Sequence, residues 1–400
     1  MVEKIGKYYD IISGFAFKSG DLKDSADIPV IKIGNISNGR SILLDNMQFV
    51  DSSLLKVNSK YHIKRGDVLL SLTGSHINQP NSMVGRSCRN YEEETFLLNQ
   101  RAGKVIPKDD ASLDYIYYVL QTKAMKESIV CRAYGAANQV NVSPKAVMGI
   151  KWNFPQSSIQ RNIGSILSTY DNLIENNNQR IRLLEQMAEN LYKEWFSYHR
   201  IKPISSEIRL TDIVSITRGL SYSSEEIDCV EGSDLINLKN IQAYGGFRLD
   251  GTKKYCGKHK KEQVVIEGDL IMGVTDMTQD RRTVGSVALI PNTFNLSVIS
   301  ADLIKLTSTI DNVFLYAMFR WGGVSKYISQ FANGANVLHL RPQALKNVKI
   351  LLPSNVFIDK YVSIVKPMIA TINKLNTENE QLSRQRDLLL PRLMSGKLEV

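Results

Sequence analysis

Two kinds of polar segment recur along this 400-residue chain, and both carry side chains suited to the edges of nucleic-acid bases. YGAANQVNVSP holds Asn138, Gln139 and Asn141, and ANGANVLHLRP holds Asn336, His339 and Arg341. An Asn or Gln amide sets a donor beside an acceptor and so matches adenine, whereas a forked guanidinium matches guanine in the major groove. TGSHINQPNSMVGRS and VTDMTQDRRTVGS each follow an apolar run that predicts a strand. The first carries Thr73, Ser75, His76, Asn78, Gln79 and Arg86; the second carries Thr275, Asp276, Thr278, Gln279, Arg281 and Arg282. Loops mounted on a rigid frame commonly carry function. A plainer assignment competes: Gly135, Gly334, Asn138 and Asn336 only build turns, Asn141 and His339 face solvent from a strand, and the other loops are hairpin tips. Lys253, Lys254, Lys258, Lys260 and Lys261 form a basic stretch that suits phosphates or simply a solvated face.

Signatures of catalysis are missing from the sequence. It contains no GxxxxGK[ST] for a phosphate, no GxGxxG for a dinucleotide, and no Asp-Pro-Pro-Tyr or Asn-Pro-Pro-Tyr of an amino-methyltransferase. Asp21-Leu22-Lys23 is half of a nuclease carboxylate-lysine pattern, but metal-assisted hydrolysis needs further carboxylates, and none is identifiable. Cys88, Cys131, Cys229 and Cys256 include no CxxC pair and no His at zinc-ligand spacing, so the expectation is buried free thiols, without metal or disulfide. No metal or cofactor site is expected in the chain. No apolar run reaches the roughly 20 residues that span a bilayer, and the first residues include acids and lack an apolar core, so a cytoplasmic location and no membrane partner are expected. The net charge of +10 favours a polyanionic partner, and it divides evenly: each half has 25 Lys+Arg and 20 Asp+Glu, so each carries +5.

That even division reflects an internal repeat. ISGFAFKSG, with Gly14 and Phe17, returns 205 residues later as ITRGLSYSS, with Gly219 and Tyr222. At the same shift VIKIGNI, with Asn35, returns as LINLKNI, with Asn240. IKRGDVLLSLTG returns as VIEGDLIMGVTD, placing Gly66 and Asp67 on Gly268 and Asp269. Asn138, Pro144 and Pro155 fall on Asn336, Pro342 and Pro353 at a shift of 198. Short β-branched runs, punctuated by Gly, Asn and Pro, alternate with helical stretches at Leu113 to Ile129 and Val313 to Phe331, which predicts mixed α/β (α+β) domains.

Behind each repeat the period changes to that of a coiled-coil seam: Ile159, Ile163, Ile166, Tyr170 and Leu173, and again Ile358, Val362, Val365, Ile369 and Ile372. Asn177 and Asn376 take the next seam positions. Ile181, Leu184, Ala188, Leu191 and Trp195 resume the first stripe after one extra residue. Tyr192, Trp195 and Phe196 are expected to pack against a domain or the partner helix. The chain therefore reads as domains 1–155 and 205–353, each followed by a helical region, 156–204 and 354–400. Antiparallel pairing of the two helices would bury both stripes and relate the domains by an approximate two-fold axis. A helix from Ile159 to Phe196 would be about 57 Å long, so two readers at its ends would span at most roughly 15 base pairs. The predicted target is bipartite and asymmetric, because the two domains differ in most surface residues.

The repeat of about 200 residues, NLYKEWF after the first domain and LLLPRLMSGKLEV at the end make the chain resemble the specificity subunit of type I restriction-modification systems, over essentially its whole length. The resemblance implies two pseudo-symmetric target recognition domains for double-stranded DNA, with the helices as central and C-terminal conserved regions. It implies assembly with two modification subunits and, through them, restriction subunits. S-adenosylmethionine would belong to the modification subunits, and ATP and magnesium to the restriction subunits. Two other classes compete with this one. A stand-alone nuclease or methyltransferase lacks room beside the two repeats, and a coiled-coil assembly protein would protect no DNA sequence selectively.

Overall fold

The structure, a computed structural model, describes residues 1–39, 41–56, 59–76, 84–136, 139–197, 206–292 and 296–400. It divides into two compact units: residues 1–176 with 379–400, and residues 177–378. The first unit holds β1 (Val2–Lys4), β2 (Tyr9–Ser13), β3 (Ile28–Ile31), β4 (Gln48–Val50), β5 (His62–Ile63), β6 (Val68–Ser71), β7 (Thr73–Gly74), β8 (Ser87–Arg89), β9 (Phe96–Leu98), β10 (Ala102–Pro107), α1 (Leu113–Gln121), α2 (Lys123–Val130), β11 (Tyr134–Ala136), β12 (Gln139–Asn141), α3 (Pro144–Met148) and β13 (Lys151–Asn153). They form four-stranded sheets β2-β10-β6-β8 and β4-β3-β9-β5, a three-stranded sheet β11-β12-β7 and the pair β1-β13. Ser112, Thr122 and Ser143 each accept a hydrogen bond from the first turn of α1, α2 and α3, which sets where those helices start.

After α4 (Ser157–Tyr192), the second unit repeats this plan with β14 (Ser206–Arg209), β15 (Val214–Arg218), β16 (Ser233–Ile236), β17 (Lys253–Tyr255), β18 (Val264–Val265), β19 (Leu270–Gly273), β20 (Thr275–Asp276), β21 (Val287–Leu289), β22 (Ser297–Ile299), β23 (Leu303–Ser308), α5 (Asn312–Arg320), α6 (Val324–Ser329), β24 (Leu338–His339) and β25 (Lys349–Leu352), before α7 (Asn355–Met394). Its sheets run β15-β23-β19-β21 and β17-β16-β22-β18, with pairs β20-β24 and β14-β25. β16 is parallel to β22 as β3 is to β9.

The repeated motifs do the same physical work in each unit. Buried Asn35 accepts from the Lys32 N–H and donates to the Leu43 carbonyl, as Asn240 accepts from Asn237 and donates to Arg248. Asp67 ties the turn before β6 through the Lys64 N–H and the Lys104 ammonium at 2.6 Å. Asp269 does so before β19 with Ile266 and Lys305, also at 2.6 Å. A Cβ on Gly14 would lie 2.2 Å from the Leu98 carbonyl oxygen, and one on Gly219 1.9 Å from that of Ser300, so only glycine lets these strands approach.

Each unit takes one half of each long helix. Ile163 and Leu167 of α4 and Leu393 of α7 are buried in the first core with Tyr115 and Ile116. Ala188 and Tyr192 of α4 and Ile358, Tyr361 and Val365 of α7 are buried in the second with Phe314. The start of α4 thus packs with the end of α7, and the end of α4 with the start of α7, the expected antiparallel pairing. The seam differs from the expected apolar stripe: Leu173 is 48% exposed, while Asp171 and Glu175 are buried. Asp171 turns inward because it accepts from the Tyr118 hydroxyl at 2.6 Å and pairs with the Arg386 guanidinium. In the second unit Glu185 of α4 pairs at 2.8 Å with Arg320, which also donates to the Tyr316 hydroxyl oxygen. Beyond Tyr192 the helix widens into a π turn over Lys193–Ser197. There Phe196 meets Phe314 and Tyr361, with ring centroids 5.4 and 5.6 Å apart, as expected of core aromatics.

The cysteine expectation fails for three of the four residues. Cys229 and Cys256 form a disulfide, because the segment leading into β16 lies beside β17, through the Ile227–Tyr255 bridge, and brings together residues 27 apart in sequence. Cys131 is exposed, and Cys88 alone is a buried free thiol.

Two stability outcomes follow. Gly14→Ala should cost about 2–3 kcal/mol through backbone overlap, whereas Gly66→Ala, at φ +89° with open space around it, should cost roughly 1 kcal/mol; denaturant midpoints compare them. Arg386→Ala, which strands the Asp171 carboxylate, should cost about 3–5 kcal/mol and exceed Asp171→Asn, which keeps an acceptor for Tyr118.

Candidate nucleic-acid interface

In each unit the two candidate segments, about 60 residues apart in sequence, meet in one small sheet. In the first, β7 pairs with β12, setting Thr73 opposite Asn141 and Gly74 opposite Val140. In the second, β20 pairs with β24, setting Thr275 opposite His339 and Asp276 opposite Leu338. Short strands can meet here because glycines close the adjoining hairpins. Gly135 (φ +129°) and Gly334 (φ +153°) occupy positions where a Cβ would lie 2.5 Å from the Gln139 oxygen and 1.8 Å from the Val337 oxygen.

The candidate residues separate into a buried base and an exposed tip. Thr73, Ser75 and Thr275 are buried, and the Thr73 hydroxyl donates to the Asn141 amide oxygen at 2.8 Å. These side chains position the loops; they present no free edge to a ligand. Arg86 is half-buried and donates to the Ile33 carbonyl at 3.0 Å, so it too braces the fold. His76, Gln139, Thr278, Gln279, Arg281, Asn336, His339 and Arg341 are exposed, and Asn141 and Arg282 are half-buried. Arg282 pairs with Asp280, whereas Arg281 and Arg341 pair with no acid among the described residues. Asn78, Gln79 and Asn138 lie outside the described residues. In the Lys253 to Lys261 stretch, Lys253 and Lys254 pair with Asp228 and Asp234, while Lys258, Lys260 and Lys261 are exposed.

Asp276 organises the second loop. Its carboxylate accepts from the Thr278 N–H and hydroxyl (2.8 and 2.9 Å) and from the Thr283 N–H (2.6 Å), closing residues 276–283 into a tight arch. Burial alone would raise its pKa, but these donors outweigh burial and hold the carboxyl below its ordinary range. Arg281 sits at the crown of the arch with φ +54°. The residue types are visible in the sequence, but two exposed members fall outside its polar pattern: Tyr134, 65% exposed and in register with Asn141, and Met277, 71% exposed. Tyr134 directly precedes the Gly135 turn, and that adjacency was its available signal.

Residues 1–186 match the family model described as the type I restriction modification DNA specificity domain. The first repeat thus matches that DNA specificity domain, and the chain as a whole is similar to type I specificity subunits. It is 24% identical over 337 residues to the Type I restriction enzyme MjaIX specificity subunit of Methanocaldococcus jannaschii, covering 76% of this chain and 73% of that one. It is 23% identical to the Type I restriction enzyme HindI specificity subunit of Haemophilus influenzae, covering 94% and 96%. In fold it is similar to the crystal structure of the type I restriction-modification S subunit from M. genitalium, with a TM-score of 0.61, 15% identity, and 98% and 95% of the two chains covered. The family model covers the first repeat. Both four-stranded sheets and the terminal strand pair recur in residues 206–352, which extends the same fold to the second repeat.

Because folding lowers the Asp276 pKa, its stabilising contribution is complete above the unfolded value of about 3.9 and is lost as pH falls through the lower folded value. The arch should therefore keep its amide-exchange protection at pH 5 to 8, within the ~pH 5–8 range where most folds are most stable, and lose it at acid pH. Asp276→Asn, which surrenders a charged acceptor, should lose about 1–3 kcal/mol of local protection at neutral pH; hydrogen exchange at Thr278 and Thr283 checks it.

Proposed function

We propose that this specificity subunit reads a bipartite, asymmetric DNA target, one half-site per unit, and catalyses nothing itself. The observation that carries the reading is the pairing of two separate loops into one exposed polar surface in each unit, on the same scaffold but with different side chains: His76, Gln139 and Asn141 in one, Gln279, Arg281, Asn336, His339 and Arg341 in the other. A common scaffold with different tips suits two different half-sites. In chain order we assign target recognition domains to 1–155 and 205–353, and the conserved helical regions to 156–204 and 354–400. The positions most suited to base edges are Gln139, Arg281, Asn336 and Arg341, while Thr73, Ser75, Thr275 and Arg86 serve as supports.

The relatives are specificity subunits of restriction enzymes, so methyl transfer and cleavage are assigned to separate modification and restriction subunits, with S-adenosylmethionine, ATP and magnesium bound there. Two modification subunits per chain, matching the two repeats, are the proposed stoichiometry. Among the described residues no helix is long and apolar enough to cross a membrane; the proposed place of work is the cytoplasm, beside the DNA.

Co-expression with the neighbouring modification subunit, followed by mapping of methylated adenines in host DNA, tests the reading. The expected outcome is a two-part motif with a fixed spacer, of which one part changes when residues 205–353 are exchanged for those of a relative. A stable purified complex that leaves no motif would favour a purely structural protein instead.

A further inference from the structure

The second unit carries an exposed aromatic beside the Arg281 arch that none of the sequence motifs includes. Tyr244 lies in the loop between β16 and β17, its side chain 65% exposed. Its backbone N–H donates to the Arg282 carbonyl at 2.8 Å, which seats the loop directly on the arch. Five described non-glycine residues have positive φ, and three of them, Asn46, Asp109 and Asp228, are of the types that tolerate it. The other two are Tyr244 (φ +64°) and Arg281 (φ +54°), one in each of these two joined loops. A bulky side chain in that region is an outlier that surrounding structure must enforce, and such residues concentrate at ligand contacts.

The enforcement is visible. Gly245 and Gly246, both buried with φ +111° and +112°, follow Tyr244, and the Gly246 N–H donates to the Val287 carbonyl at 2.9 Å. A Cβ on Gly245 would meet the Arg320 side chain at 3.1 Å. Arg320 is itself held by Glu185, so the loop rests on a braced floor while Gln242, Ala243 and Tyr244 stand out in solvent. A glycine at 244 would hold this turn without strain, yet the position carries a large amphipathic ring whose exposure gains nothing for the fold.

We propose that Tyr244 is a DNA-contacting residue, whose ring lies against the nucleotide flanking the base pairs reached by Arg281 and its arch. Aromatic rings pack on bases and deoxyribose without needing a particular base, so Tyr244 sets affinity and register, and the arch supplies selectivity. The inference rests on the DNA reading above.

Tyr244→Gly relieves the backbone strain, so the variant should melt at or above the parent temperature. In complex with the modification subunit, its affinity for a labelled duplex carrying the mapped motif should fall roughly 10-fold. Tyr244→Phe should retain most of the affinity. The slope of log affinity against log salt should be unchanged, because a ring contact releases no counterion, and the methylated motif itself should stay the same. Parent complex that binds the duplex selectively while Tyr244→Gly binds within twofold of it would overturn the inference alone. Parent complex with no selectivity for the duplex would instead overturn the DNA reading on which it rests.

Discussion

Neither globular fold closes its own core. Both depend on apolar side chains supplied by the two long helices, and each takes them from helix segments far apart in the chain: Ile163, Leu167 and Leu393 in the first unit, Ala188, Tyr192 and Tyr361 in the second. A sheet with one apolar face must bury it against something, and here α1 or α5 and the helix halves provide the cover. The consequence is that residues 379–400 belong to the same compact unit as residues 1–176. Within each unit, the scaffold under the candidate loops and the helix segments is therefore one packed body.

Each unit adds a polar joint between helix and domain to these apolar contacts. Asp171 with Tyr118 and Arg386, and Glu185 with Arg320 and Tyr316, use the same three chemical parts: a carboxylate from α4, a tyrosine from the domain helix and an arginine. Burying a carboxylate is costly unless its partners are in place, so such a joint tolerates few alternative packings. Apolar seams alone would allow the domain helix to slide by a turn. We read these joints as devices for orientation, with the apolar contacts around them supplying most of the stability.

The candidate surfaces show the same division between fixed base and variable tip. Thr73 bonded to Asn141, and Asp276 bonded to Thr278 and Thr283, hold short strands whose outer side chains differ between the units. Such an arrangement lets exposed residues such as Arg281 and Arg341 change without disturbing the hydrogen bonds of Asp276 and Thr73 that place the strands.

The duplicated plan was legible in the sequence by itself, since the 205-residue shift of Gly14, Asn35 and their counterparts needs no coordinates, and these residues recur because each meets a local demand: a close strand approach or a capped turn. The helical period after each repeat was equally legible, as was the polar character of the loops that carry Gln139, Arg281 and Arg341, because residue type and spacing are enough for both. Tertiary structure alone decided the rest. It turned Leu173 out and Asp171 in, because Tyr118 and Arg386 arrive from other elements; it joined Cys229 to Cys256 across neighbouring segments; and it buried Thr73, Ser75 and Thr275 while exposing Tyr134 and Tyr244. Each of these outcomes depends on partners distant in the chain, and periodicity within a window carries no information about them.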